Sequence, residues 1–375
     1  MTELEHTWVR DRDGLVELAS ALGSEPAHAL DTESNSGFVY EERLCLLQLR
    51  AGGRTWLVDL LALPGDRDAL DPLRPALEGE ETVTWVHGGE FDVGCLKRDY
   101  DLALGGLWDT QQAATFLGWE KTGYGNVVER VCGVRVEKGY AHFDWGRRPI
   151  AAEPLRYAVE DVLYLPRVGE RLAEAIREAD LEEELEIANR AVMDAAWGGG
   201  HAPDGFLAIK GARRLPRESQ AVLAALHRWR EEIARTLDLP PGRVVANRHL
   251  LDLARGTPSS PDELVKLGLG RRTVAEHGRR MVAVIGQARR EPPELPPPGE
   301  RRPRDPKIEE RDRALRSWRR EEARRRRVPE QVVLPAAAVR HLAEHGATDL
   351  AAVPQLGGKR IALYGSRLAA LCGEG

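Results

Sequence analysis

Five residues in the first half of the chain have side-chain types and spacings that could support metal-assisted chemistry. Asp31 and Glu33 stand two apart at the end of the apolar run HALDTE. On a strand that spacing turns both carboxylates to one face, about 7 Å apart along the backbone. On an interior strand such a pair is costly unless a cation compensates it, and Mg²⁺ or Mn²⁺ with oxygen ligands is the simplest compensation. Taken alone, the D-x-E pattern is more often a solvated strand end with two ordinary acids.

A second group is His87-Gly88-Gly89-Glu90-Phe91-Asp92, where the run from Thr82 to Val86 meets a double glycine and then an amphipathic helix. Asp92 falls in the first helical turn, where the glycines allow close packing and the helix dipole favours a carboxylate. By itself it reads as an ordinary N-terminal helix acid, and His87 reads better as a structural strand-end residue than as a ligand. The third group is Tyr157-Ala158-Val159-Glu160-Asp161. Tyr157 and Asp161 are i and i+4 and share a helical face, so a hydroxyl and a carboxylate can approach one water molecule. Glu160 lies about 100° around the helix and is expected to face solvent. On any single helix, an aromatic packing residue beside a surface acid would be the simpler account.

The elements that must position these residues have a recognisable texture. The first 170 residues alternate short apolar runs (HALDTE, RLCLLQLR, RTWLVDLL, TVTWVHGG) with helical patterns, which predicts an α/β layer. Short polar links at Glu41-Glu42 and Ala51-Gly52-Gly53 predict adjacent, partly antiparallel strands. From Pro154 the spacing predicts one long helix, with Pro154 in its first turn and Pro166 as a tolerated kink. Residues 219–288 read as all-helical, and the linker EPPELPPPGERRPRDP separates them from a second helical block starting at Lys307. Trp229-Arg230 recurs as Trp318-Arg319, Pro240 as Pro329, Val244-Val245 as Val332-Val333 and Gly278 as Gly365, at a nearly constant offset of 87 to 89 positions. An ordered series of matches of this kind predicts a duplicated domain, with Trp229 and Trp318 as core residues.

Composition bounds the function class. A chain of 375 residues with 42% hydrophobic and 30% charged residues can fold into more than one domain. Its mean hydropathy is -0.42, and no apolar run approaches the roughly 18 residues of a bilayer span. The start MTELEHTWVRDRDG lacks the pattern of a secretion signal, so a cytoplasmic protein is expected. Cys45, Cys95, Cys132 and Cys372 show neither C-x-x-C pairing nor histidines at ligand spacing, which argues against a disulfide framework and a zinc site. The net charge of -6 does not by itself suggest a nucleic-acid partner. Charge is segregated, however, with arginines between Arg301 and Arg327 and acids from Glu178 to Glu186.

Asp31-x-Glu33, Asp92 and Tyr157-x-x-x-Asp161 together resemble, in order and spacing, the three exonuclease motifs of the DEDD superfamily in its tyrosine-bearing subclass. The histidine subclass would place a His five residues before the last Asp, where this chain has Arg156. Lys138, Asp144-Trp145 and Arg148-Pro149, just upstream of the third motif, resemble the ribonuclease D family. The two helical blocks resemble the helicase-and-RNase-D C-terminal (HRDC) domain, the second less closely because Pro335 and Pro354 interrupt it. The resemblance covers nearly the whole chain, with no departure at the five positions.

It implies an α/β plus all-α architecture: a ribonuclease-H-like mixed-sheet exonuclease domain over residues 1–205, a first HRDC domain over 206–292, a Pro-rich linker over 293–306, and a more divergent HRDC-like domain over 307–375. It also implies two divalent cations, Mg²⁺ or Mn²⁺, with Asp31 bridging both, Glu33 and Asp161 completing the site that activates water, and Asp92 supporting the second. Tyr157 would orient the attacking water. The activity implied is 3′-5′ hydrolysis of RNA to 5′-mononucleotides, on transfer RNA precursors and other small stable RNAs, by a monomer. Lys138, Arg148, Arg243, Arg248, Arg271, Arg272, Arg324 and Arg325 are the candidate RNA contacts, although an Arg-rich helix interleaved with Glu309, Glu310, Glu321 and Glu322 can equally be a solvated face. Two rival readings are a 3′-5′ exonuclease acting on DNA and a catalytically silent RNA-binding scaffold. The chain has no G-x-x-x-x-G-K-[ST] loop to couple the first to a motor, and four clustered acids without metals would repel the phosphates that the second must bind.

Overall fold

A computed structural model describes residues 4–136, 139–198, 200, 205–297 and 305–373. The chain divides into two compact units, one built from residues 1–34, 44–197 and 303–375, the other from 35–43 and 198–302. Among the described residues no helix is long and apolar enough to cross a membrane.

The first unit is organised by a six-stranded mixed sheet: β1 (Thr7–Val9), β2 (Ala27–Ser34), β3 (Leu44–Ala51), β4 (Arg54–Asp59), β5 (Val83–Val86) and β6 (Leu107–Asp109), in the order β1-β4-β3-β2-β5-β6. The links predicted from Glu41-Glu42 and Ala51-Gly52-Gly53 do join antiparallel pairs, β2 with β3 and β3 with β4. Strands β1, β5 and β6 add parallel to their neighbours. Because β3 lies inside the sheet with both faces covered, its sequence LCLLQLRA is apolar almost throughout instead of alternating. Helices α1 (Arg12–Gly23), α2 (Arg74–Leu77) and α3 (Glu90–Tyr100) pack on one face, where Leu30, Leu47, Val58, Val93 and Leu96 meet.

Helices α4 (Thr110–Phe116), α5 (Tyr124–Cys132), α6 (Ala152–Leu163), α7 (Leu165–Glu178) and α8 (Glu182–Met193) complete this part. The segment expected as one long helix is two, broken at Tyr164. Pro166 has no N–H to give and its ring would clash with the carbonyl four residues earlier, so it sits in the first turn of a new helix, not at a kink inside an old one. Pro154 occupies the first turn of α6 as predicted. Helix α7 lies close enough on the sheet that a methyl group at Gly169 would overlap the ring of Trp85 on β5.

The last helical block belongs to the same unit: α14 (Pro306–Arg326), α15 (Glu330–Val333), α16 (Ala336–His345) and α17 (Gly358–Cys372), around Leu315, Trp318, Leu342 and Leu368. Part of the acidic run from Glu178 to Glu186 meets this block at Lys359, outside the arginine-rich stretch. The backbone amide of Lys359, in the first turn of α17, donates to both carboxylate oxygens of Glu183 at 3.0 and 3.2 Å. The Lys359 ammonium pairs with Asp180 at 2.9 Å and Glu184 at 3.3 Å. Gly357 precedes α17 at φ +79°, in contact range of Ile187 and Glu183 where a Cβ would not fit. Val332 is fully buried in the cluster of Ala113, Leu172, Leu181 and Leu185.

The second unit contains α9 (Arg217–Leu237), α10 (Pro241–Val244), α11 (Asn247–Gly256), α12 (Pro261–Lys266) and α13 (Arg271–Arg290), around Trp229, Leu250, Leu253, Met281 and Ile285. Its pattern of long, four-residue, ten-residue and long helix is repeated by α14 to α17, with a 3₁₀ turn at Leu350–Ala352 in the place of α12. Trp229 and Trp318 are buried core residues in their respective blocks.

Gly169→Ala should destabilise the protein by about 1–3 kcal/mol, because neither the Trp85 ring nor the sheet beneath it can yield. Urea unfolding followed by tryptophan fluorescence measures this, and an unchanged midpoint would show that α7 can lift off the sheet at no cost.

Candidate active site

The second half of strand β2 reads Leu30-Asp31-Thr32-Glu33-Ser34, and the alternation of a strand sends Asp31 and Glu33 to one face and Thr32 to the other. The first face is covered by α6, whose Ala158 and Val159 pack with Leu46 and Leu57 of the neighbouring strands. Asp161 lies one helical turn beyond Tyr157 on α6. The ligand oxygens of Asp31, Glu33 and Asp161 all fall within 4.8 Å of one another. Asp92 arrives from α3, the helix on the opposite face. It is buried, and the hydroxyl of Thr32 donates to its Oδ1 in a short hydrogen bond. The four acids thus converge on the end of one strand from both sides of the sheet.

Their electrostatics are those of like charges without a counterion. Burial raises Asp31 well above the usual carboxylate range, and the charges of Asp92, Asp161 and Glu33 push it further. Burial likewise raises Glu33, helped by Asp161 and Asp92. Asp92 is pushed up to about 6, mainly by burial and against the Thr32 hydrogen bond. Asp161 is pushed up to about 7 by burial, against a hydrogen bond from the Tyr157 hydroxyl. Among the described residues none of the four forms an ion pair with a lysine or arginine. Hard oxygen donors, clustered and uncompensated, fit divalent Mg²⁺ or Mn²⁺.

Tyr157 is raised by burial and by Asp161, Glu33 and Asp31, so its hydroxyl stays protonated and acts as a donor. Its ring is held in an aromatic row, 5.9 Å from Tyr140 and 6.3 Å from the buried Trp145, with Phe143 5.0 Å beyond Trp145. His87 bonds Thr110 through Nδ1 at 2.8 Å and packs edge-on to Tyr124, outside the carboxylate group, as a structural strand-end residue would.

Two expectations are corrected. Glu160 does not face solvent: it is 6% exposed and paired with Arg156 Nε at 2.9 Å, so the residue in the place of the histidine subclass's His is the counter-charge of the acid next to Asp161. Arg148, expected as an RNA contact, makes five hydrogen bonds within the protein, to both Asp59 oxygens and to the carbonyls of Cys45, Trp145 and Arg147. A guanidinium has five N–H groups, so none remains for a phosphate. Arg148 pins the segment that leads into α6.

The other candidate RNA contacts are dispersed. Lys138 lies outside the described residues. Arg243 lies over the Phe38 ring at 4.9 Å, Arg248 is exposed, and Arg271 and Arg272 are exposed at the start of α13. Arg324 is exposed in the last turn of α14, whereas Arg325 is paired with Glu322 at 2.6 Å. Sequence reasoning passed over Thr32, which has no motif of its own, and Gln48, directly opposite Asp31 in the β2–β3 register. The only sign of Gln48 was a single polar residue inside the apolar run LCLLQLR.

A family model for 3′-5′ exonucleases matches residues 6–177, and one for the HRDC domain matches residues 219–285 and 309–372. Ribonuclease D of Pseudomonas paraeruginosa is 30% identical over 298 residues, covering 78% of this chain and 77% of its own. The chain belongs to the ribonuclease D family. Ribonuclease D of Escherichia coli is also 30% identical, over 79% of this chain and 78% of its own. The crystal structure of that E. coli enzyme, described as an exoribonuclease involved in structured RNA processing, superposes with a TM-score of 0.74 at 26% identity over 99% of each chain. This ribonuclease D family member is therefore a 3′-5′ exoribonuclease, a phosphodiester hydrolase, with the expected mixed-sheet and helical architecture.

The raised carboxyls give a stability signature. The folded, metal-free protein holds protons that an unfolded chain, with aspartates near 4, has already lost. This contribution to stability is present at low pH and is lost as pH rises through about 6 to 7. The melting temperature of metal-stripped protein should fall between pH 5 and pH 8, and Mn²⁺ should raise it more at pH 8 than at pH 5. Scanning fluorimetry tests both, and a metal response independent of pH would show that the acids do not act as one cluster.

Proposed function

We propose that this exoribonuclease trims transfer RNA precursors and other small stable RNAs from a free 3′ hydroxyl, releasing 5′-mononucleotides, with two divalent cations, Mg²⁺ or Mn²⁺, held by Asp31, Glu33, Asp92 and Asp161. The observation that carries the reading is the convergence of four uncompensated carboxylates on the end of β2, three of them with ligand oxygens within 4.8 Å of one another. The E. coli relative's role in structured RNA processing supports the substrate class. Bound cations would supply neutralisation of the negative charge that builds up at phosphorus and a lowered pKa for the attacking water.

The protein's own groups do the rest. Asp31 and Glu33 are fixed by the strand register, and Asp161 is fixed by α6, so their relative placement does not depend on a loop. Asp92 is oriented by the Thr32 hydroxyl. Tyr157, protonated and already donating to Asp161, orients the attacking water instead of removing its proton. A monomer acting in the cytoplasm belongs to the same proposal.

For the RNA body, the two repeats differ. Gly270 and Gly357 are the N-caps of α13 and α17, so Arg272 and Lys359 occupy the same position of their helices. In the second repeat that helix start is occupied by Glu183, a carboxylate where a phosphate would otherwise fit. In the first it carries the exposed Arg271 and Arg272, which we assign to the RNA backbone with Arg243 and Arg248.

With a 5′-labelled transfer RNA bearing a 3′ extension, Mg²⁺ or Mn²⁺ should give a ladder shortening from the 3′ end. Asp31→Asn and Asp161→Asn should reduce it to the EDTA background, and Tyr157→Phe should lower kcat about 10²-fold without abolishing it. Equal, mild effects of all three would reject the site, and equal digestion of matched single-stranded DNA would reject the RNA preference. Replacing both Arg271 and Arg272 with Glu should weaken binding of the full transfer RNA and reduce the slope of log affinity against log salt by about 2, while cleavage of a tetranucleotide is unaffected. An unchanged slope would place the RNA elsewhere.

A further inference from the structure

The reading of Asp31 as a metal ligand leaves one buried side chain unexplained. Gln48 is 0% exposed at the centre of β3, and both its Oε1 and its Nε2 are buried without a hydrogen-bond partner. Among the described residues it is the one side chain whose donor and acceptor are both orphaned in this way. Its place is not arbitrary. It stands directly opposite Asp31 on β2 and opposite Leu57 on β4. Directly opposed residues of antiparallel strands share a face, with Cβ atoms about 4.5–5.5 Å apart. Leu57 and Leu46, on the same face, pack against Ala158 and Val159 of α6. The Gln48 carboxamide therefore lies in the layer between the sheet and α6, beside the root of Asp31. Thr84 and His28, also buried polar residues of this sheet, bond each other at 2.9 Å.

A glutamine wholly buried without partners is costly, about 1–3 kcal/mol for each unsatisfied group, and leucine would fill the same space without that cost. We infer that Gln48 is a positioning residue for Asp31: unpartnered in the metal-free protein, its amide N–H would donate to the Asp31 carboxylate when cations are bound and so fix which oxygens that acid turns toward them. The inference rests on the proposed role of Asp31 and adds the group that orients it, as outer partners of ligating carboxylates do elsewhere. A purely architectural glutamine, satisfied by a buried water, would affect stability but not the site.

The two roles predict opposite results for Gln48→Leu. If Gln48 positions Asp31, metal-stripped full-length protein carrying this change melts no lower than wild type, because two unpaired polar atoms have been removed. Its affinity for Mn²⁺, titrated calorimetrically in the absence of RNA, falls about tenfold. In the RNA assay kcat falls while KM is unchanged. Gln48→Met, unbranched and of similar length, should behave the same way and guards against a packing fault specific to leucine. Mn²⁺ affinity and kcat within twofold of wild type in both variants would overturn the inference. So would a parallel loss of melting temperature and Mn²⁺ affinity in both, since the amide would then be part of the core's architecture. Asp31→Asn in the same titration separates the underlying reading: if it still binds Mn²⁺ like wild type, Asp31 is not a ligand and the inference falls with it.

Discussion

Repulsion among carboxylates at the end of β2 is the constraint on which the rest of this structure depends. Two unit charges 4.8 Å apart repel by about 3–4 kcal/mol at an effective dielectric constant of ~20. Three such pairs rival the net stability of an entire domain, about 5–15 kcal/mol. A chain selected for stability alone would not place Asp31, Glu33 and Asp161 together and then bring Asp92 in from the other face. The fold tolerates the cluster in the absence of metal by letting it hold protons, which is what the raised positions of all four acids express. Bound hard cations would turn the same repulsion into coordination.

Holding like charges in place requires rigid elements, and the architecture supplies them. Strand β2 is paired on both sides, antiparallel to β3 and parallel to β5, so Asp31 and Glu33 cannot slide without breaking two ladders. The break at Tyr164 has a positional consequence as well. It frees α6 to follow its own axis over the face that carries Asp31, while α7 packs against β5 through Gly169. One continuous helix would have to satisfy both contacts along a single line. Arg148 adds a further restraint, tying the approach to α6 to both carboxylate oxygens of Asp59 at the end of β4 and to the Cys45 carbonyl on β3.

Much of this was legible in the sequence because it rests on short-range rules. The D-x-E spacing, the i and i+4 pair of Tyr157 and Asp161, the polar links between antiparallel strands and the duplicated Trp-Arg series are local patterns, and each has its counterpart in the structure. What was not legible depends on partners distant in sequence. Glu160 was assigned to solvent from its angle on the helix, but it is buried and paired with Arg156, and Tyr124 of α5 donates to its backbone carbonyl. Arg148 resembled a phosphate contact by type, and only the fold shows Asp59 beside it, 89 residues away. Gln48 and Thr32 had no pattern to betray them, since their positions matter only through the register of β2 against β3 and the approach of α3.

The duplicated helical block shows how one local structure can serve two ends. Both copies begin their last helix after a glycine cap with a basic residue in the second position, an arrangement that attracts anions through free backbone N–H groups and the helix dipole. In the second copy the anion is supplied by the protein itself, from the acidic start of α8, and Gly357 leads the chain into that contact at φ +79°, a conformation that favours glycine. The acid run from Glu178 to Glu186 is therefore not a solvated face along its whole length. Its Glu183 and Glu184 secure the second block to α8 of the exonuclease part, with Lys359 as their common partner. A chain with net charge -6 can thus keep one strongly basic helix start open to solvent while the equivalent one is neutralised internally, so the two repeats can diverge in role without diverging in fold.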